Sequence, residues 1–363
     1  MMGPARQSAI KTTLDGIRAR EDLRARRAND PVDFVHGFAS VADRELVALV
    51  AANLAFGNVK AIRMKGADLL ARIGPSPSKP ADDAAALHRA LDGWKHRVFK
   101  GEDVARLLVG ARRVQREEGS LGAAFARALR EADRVLPDEH EALREALATF
   151  CDRIRVSGGL PLPGQSSKTD RRGPVNLLSN ARAGGGAKRL LLFLRWMVRP
   201  ADGIDLGLWP VPARRLLMPV DVHIHKLSQN LGFTKRADVS WKTAVEITTA
   251  LARYDADDPT RYDFSLCHMG MVQRCPSRRD PVRCEGCGVK PVCIRWGRGQ
   301  RELEARSVAS PPGTSAPRSK TPSKPSTKPA SKPARNVEGA IPSTSRRKAR
   351  RPEKNGVTLR AKW

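Results

Sequence analysis

Four cysteines, Cys275, Cys284, Cys287 and Cys293, fall in the spacing C-x8-C-x2-C-x5-C near the end of the ordered-looking part of the chain. Thiolates this close in sequence can be gathered by short loops into one tetrahedral set. Such a set suits either a structural zinc or a four-iron, four-sulfur cluster. Basic residues from Arg274 to Arg298 surround them; these would favour the thiolate form and leave a basic surface on the loop. Cys151 and Cys267 sit instead on apolar helical faces and read as core residues.

Two further elements carry chemistry-bearing residues. In AGGGAKRLLLFL, Gly184, Gly185 and Gly186 precede Lys188 at the start of a helix. This is not a phosphate loop, because no Ser or Thr follows the lysine and no strand precedes the glycines. In MPVDVHIHKL, Asp221 precedes an amphipathic helix and, taken alone, reads as its N-cap. His223 and His225 are two apart on that helix and so do not face one way, which argues against a metal pair.

The elements that must position these groups read as helices almost throughout. Apolar residues recur with a helical period over residues 43–56, 59–74, 101–119, 121–136, 139–156, 187–199, 221–233, 240–254 and 259–274. Ser40 or Asp43 would cap the first of these. Residues 76–83 read as a loop, 157–186 as a long loop rich in Gly, Pro, Ser and basic residues, and 201–220 as irregular, broken by Pro210, Pro212 and Pro219. No run of alternating β-branched residues occurs, so the fold class is all-α. The expected division is an N-terminal extension over 1–30, a helical domain over 31–300 with its cysteine loop at 275–293, and a tail over 301–363.

Net charge narrows the partner. The 363 residues carry +28, of which the Ser-, Pro- and Lys-rich stretch 307–363 supplies +12. That stretch has too few large apolar residues to offset the entropy of ordering and is expected to be disordered. The remainder is still +16, so the folded part is basic in its own right, and nucleic acid is the default polyanion. The N-terminus lacks the apolar core of a signal peptide, and the run 190–198 is short and broken by Arg195. A cytoplasmic, nucleoid-associated protein with no membrane partner is the expectation, and cysteines in a reducing compartment point to metal rather than disulfides.

The order glycine-rich hairpin and lysine, then V-D-x-H, then C-x2-C-x5-C resembles the helix-hairpin-helix DNA glycosylase superfamily, of which endonuclease III is the familiar member. Gly184, Gly186 and Lys188 match the hairpin's glycines and lysine. The segment Val220-Asp221-Val222-His223 resembles the one holding the superfamily's catalytic aspartate. More narrowly, FLRWMVRP, DLGLW, PVDVHIHKL and YDADDPTRYDFSL resemble a bacterial family known as DUF2400. The chain departs from the superfamily pattern in four places. Arg182-Ala183 stand where Leu-Pro is usual, Arg189-Leu190 follow the lysine, Lys188 and Asp221 are 33 apart, longer than in endonuclease III, and the first cysteine interval is eight rather than six.

The resemblance implies a two-lobed helical fold and a base-excision enzyme with glycosylase and AP-lyase activity, acting as a monomer on double-stranded DNA that carries a base lesion or an abasic site. Lys188 would attack C1′ of the flipped nucleotide, and Asp221 would stabilise positive charge on the sugar and accept a proton. Gly184, Gly185, Gly186 and Arg189 would hold the DNA backbone at the helix start. Trp196, Trp209 and Phe193 are candidate pocket walls, though each reads more readily as a packed core aromatic. The four cysteines would hold a 4Fe-4S cluster, with zinc as the alternative. A DNA-binding protein that keeps the fold without the chemistry, or a zinc-stabilised nucleic-acid adaptor, are the competing readings.

Overall fold

The apolar periodicity becomes a layered set of helices in a computed structural model of the chain, which describes residues 3–20, 22–165, 172–276, 279–298 and 301. In chain order these are α1 (Pro4–Ala19), α2 (Leu23–Arg27), α3 (Asp33–His36), α4 (Val41–Leu54), α5 (Val59–Ile73), α6 (Ser78–Ala81) and α7 (Ala84–Ala90). A two-residue hairpin, β1 (Lys95–His96) with β2 (Phe99–Lys100), leads into α8 (Gly101–Glu118), α9 (Leu121–Val135) and α10 (Glu139–Gly158). Then follow α11 (Arg172–Leu177), α12 (Lys188–Val198), α13 (Val222–Leu231), α14 (Trp241–Ala252) and α15 (Asp263–Gln273). No helix among the described residues is long and apolar enough to cross a membrane. The basic tail lies outside the described residues, apart from Arg301.

The long helices follow the sequence period closely, and the departures have local causes. Ser40, not Asp43, caps α4, because its hydroxyl accepts the Asp43 amide. The Asp43 carboxylate is spent elsewhere, accepting the amide of Ser78 at 2.7 Å. That bond helps fix α6, a single turn inside the stretch expected to be a loop. The expected loop over 157–186 likewise contains α11 and a 3-10 turn at Ala181–Ala183, while 166–171 are not described. α15 starts at Asp263, four residues later than its apolar pattern suggests.

α10 packs along both α8 and α9, and α12 crosses α4. The α8–α10 crossing is close enough for backbone to meet backbone. A Cβ on Gly110 would stand 2.2 Å from the Ile154 carbonyl oxygen, and one on Gly158 would stand 2.2 Å from that of Arg106. Only glycine allows this approach. Beneath it lies an aromatic cluster in which Trp209 stacks on Phe125 and meets Phe193 edge-on. The indole donates to Glu45 Oε1 at 2.8 Å. Glu45, fully buried, also accepts from Gln115 Nε2 and from the amides of Leu121 and Gly122 at the start of α9. A buried carboxylate is tolerated here because hydrogen bonds and a helix N-terminus replace its water. Trp196, Trp209 and Phe193 are thus core residues, the reading preferred for them over pocket walls.

Residues 4–19, expected as an extension, are integral to the body. α1 buries Ile10 and Leu14, Asp15 accepts the Tyr262 hydroxyl at 2.8 Å, and Arg6 donates to the Val292 carbonyl at 2.9 Å. A second buried polar system joins α12 to its surroundings. Arg195 pairs with Asp205 and Asp263, and Arg199 pairs with Asp202, Asp205 and Asp258. Each of these arginines meets more than one carboxylate, which offsets the cost of burying charge.

Candidate active site

Lys188 is the first residue of α12 and Asp221 the N-cap of α13, so the site is built from two helix starts. The approach to Lys188 depends on the glycines. Gly184 has φ +75°, and its carbonyl accepts the Trp241 amide at 3.0 Å, while Gly185 bridges to Ser240. Ala187 then takes a left-handed φ of +43°, a conformation that costs an alanine some strain and turns the chain into α12. Asp221 Oδ1 accepts the amides of His223 and Ile224 at 2.9 and 2.8 Å, as its N-cap reading requires. With Oδ1 committed to the helix, Oδ2 faces outward and stands 3.8 Å from Lys188 Nζ.

Both residues line a cleft of about 780 Å³. Much of its wall comes from one stripe of α15: Asp263, Phe264, Cys267, His268 and Met271. Phe56, in the turn after α4, adds an aromatic ring flanked by the guanidinium groups of Arg97 and Arg189. The Cys267 thiol donates to Asp221 Oδ2 at 3.4 Å, so the sulfur read from sequence as a core residue belongs to the site. Burial, with Asp221 and Asp263 beside it, pushes that thiol well above its ordinary pKa and keeps the proton on sulfur. Asp263, fully enclosed, is pushed up to about 6 by burial against the pull of Arg195, with Asp221 adding repulsion.

The structure therefore brings Lys188 and Asp221 together. Arg189 is turned inward: it donates to the carbonyls of Asn53 and Asn176, lies over Phe56, and is lowered to about 10 by burial. This is a brace between α12 and α4 from a residue that also lines the cleft, rather than a side chain reaching freely outward as the expected DNA contact implied. His223 lines the cleft, whereas His225 Nε2 is held by the Arg236 carbonyl at 3.0 Å, so the two imidazoles diverge. Asp263, Phe264, Cys267 and His268 were missed as site residues. Their available signal was the spacing i, i+1, i+4, i+5 on one helix, with polar groups interrupting an apolar face.

The four clustered cysteines also converge. Cys275, Cys284, Cys287 and Cys293 line one small cavity together with Asn230 and Arg279. All four are free thiols, and no three His, Cys, Asp or Glu side chains among the described residues are grouped so as to hold a metal ion as they stand. Two features fit an anionic metal–thiolate group. Asn230 Nδ2 donates to Cys275 Sγ at 2.9 Å and is itself oriented by Arg295. Arg279, lying over Trp296, has Nε and Nη1 buried without a partner among the described residues. Burial and the neighbouring sulfurs push Cys275 up to about 11, a cost that a bound cation would remove.

Residues 30–272 match the profile of a family described as a protein of unknown function, DUF2400. The chain belongs to the DUF2400 family. The match spans α3 to α15, so the cleft lies inside the DUF2400 region, and the cysteine loop follows it. No curated protein matches the chain.

Proposed function

We propose that this protein is a base-excision DNA glycosylase with AP-lyase activity, built on a helix-hairpin-helix glycosylase-like fold. The observation that supports the reading best is the meeting of Lys188 and Asp221. They are 33 positions apart, yet they converge to 3.8 Å in a cleft large enough for an extruded nucleotide. In this reading Lys188 Nζ loses a proton to Asp221 Oδ2 and attacks C1′. The base leaves with the electrons of the C1′–N bond, and ring opening gives an imine between Lys188 and the sugar. Asp221 also offsets positive charge developing on the sugar before the new bond forms. Gly184, Gly185 and Gly186 lie beside Lys188 without side chains and would admit a DNA phosphate to the start of α12. Cys275, Cys284, Cys287 and Cys293 would hold a 4Fe-4S cluster, or a zinc, whose contribution is to fix the loop rather than to react.

The test is borohydride trapping. Purified protein is incubated with duplexes carrying an abasic site, 8-oxoguanine or an oxidised pyrimidine, and borohydride reduces the imine to a stable amine. A covalent band is expected that disappears in Lys188→Ala. Asp221→Asn should slow its formation by about 100-fold or more while duplex binding is retained. Duplex binding with no trapping and no base release on any substrate would leave a DNA-binding protein without the chemistry.

A further inference from the structure

α15 and the turn before α3 bring a second pair of polar groups, His268 and Asp30, into the cleft. His268 Nδ1 lies 3.0 Å from the Phe264 carbonyl oxygen. A carbonyl only accepts, so Nδ1 is the donor, and the neutral ring then has its lone pair on Nε2. Nε2 stands 4.0 Å from Asp30 Oδ2, too far for a direct hydrogen bond. Asp30 Oδ1 is committed to the Val32 amide at 2.9 Å. Both side chains line the cleft and both are mostly buried, at 13% and 23% exposed. With the ring neutral, two acceptors face each other across a gap, beside the Phe264 ring, whose centroid lies 4.1 Å from the imidazole. A single nitrogen carrying two hydrogens would satisfy both. A carbonyl oxygen in the same place would meet two lone pairs and be repelled.

We propose that His268 and Asp30 recognise the exocyclic amino group of a nucleobase, so that the cleft selects amino-bearing bases over their keto counterparts. This rests on the reading of the cleft as a nucleotide site and names the class of base it takes. The charged groups facing the pair are Arg195, whose field reaches Asp30, and Asp263, Asp221 and Lys188 along the same wall. Arg195 is already paired with Asp205 and Asp263, which leaves the Asp30 oxygen available to a ligand. The competing arrangement is a doubly protonated His268 that pairs with Asp30 for structure alone.

The deciding measurement does not depend on catalysis. The imidazole nitrogens of His268 are followed by NMR in the full-length protein, titrated with adenosine or cytidine and, separately, with inosine or uridine. Adenosine and cytidine should move the Nε2 resonance, inosine and uridine should not, and Asp30→Asn should remove the difference. Equal shifts with amino and keto nucleosides, or no shift with any, would overturn the proposal. In duplexes carrying adenine against hypoxanthine at one mispaired position, the amino-to-keto ratio of base release should fall at least about tenfold in His268→Ala and in Asp30→Asn. Because this is a ratio, a general loss of activity in either variant cancels. A wild type that neither traps nor releases base on any duplex would defeat the glycosylase reading, while the nucleoside titration would still decide the role of His268 and Asp30.

Discussion

At the scale of single residues, the cleft is an arrangement of carboxylates whose oxygens have separate tasks. Asp221 spends one oxygen on α13 and offers the other to Lys188 and to Cys267. If the Cys267 S–H restrains that carboxylate, Cys267→Val should slow trapping about tenfold, since one hydrogen bond to the charged form is gone. Cys267→Ser should restore the rate, and a valine variant that traps at the wild-type rate would show that the thiol merely fills space. Asp263 makes a different prediction. Its folded-state pKa, about 6, stands above its ordinary 3.8, so its contribution to stability is complete below the ordinary range and is lost as pH rises through about 6. Wild type should therefore lose stability relative to Asp263→Asn as pH rises from about 4 to above 6, as read from urea midpoints at successive pH values. A difference that stays flat across that range would contradict the assignment. The helix starts at Lys188 and Asp221 were legible from the glycines of one and the capping pattern of the other, but these signals alone read as a turn and an N-cap, and only the resemblance of the two segments to the glycosylase superfamily singled the pair out. Cys267 and Asp263 were not legible as site residues. Their role depends on which way α15 is rotated, and a helix with apolar residues on most of its faces does not announce that.

At the scale of elements, α8, α9 and α10 came through from sequence almost residue for residue, because long amphipathic stretches bounded by Gly and by Ser or Asp caps leave little freedom. The hairpin β1–β2 was invisible, since two-residue strands contain no alternation to detect. α6 and α11 were hidden for a related reason, being helices of four and six residues held by partners distant in sequence. The glycines at the α8–α10 crossing show how tightly the legible helices are nested. Gly110→Ala should cost about 2–3 kcal/mol, because the new methyl must displace the backbone of α10 rather than a side chain. Urea unfolding should show the midpoint falling at constant m, and a loss under about 0.5 kcal/mol would mean that the two helices slide apart freely.

At the scale of the whole molecule, the cysteine loop is where distant parts of the chain are gathered. Gly288 lies against Ile17 of α1 and Met269 of α15, and Ile294 lies against Gly232 at the end of α13. A metal or cluster held there would therefore clasp α1, α13 and α15 at once. Protein purified without oxygen should contain iron and sulfide, or else zinc, in stoichiometric amount. Cys284→Ser should lose the metal and lower Tm by several degrees. A metal-free wild type with an unchanged Tm would dismiss the cofactor. The packing of α1 has a consequence for how the protein is made. Asp15 and its partner Tyr262 are 247 positions apart, and Arg6 and Val292 are 286 apart. At 5–20 residues per second, α1 waits roughly 10–60 s on the ribosome before its binding surface exists. During that interval α1 lacks its contacts with α15 and with the turn at Lys290–Val292. The cleft, whose α15 wall is braced by α1, is completed only once residues 263–292 have been made, so a nascent chain interrupted before residue 292 carries the lysine and the aspartate without the clasp that steadies them.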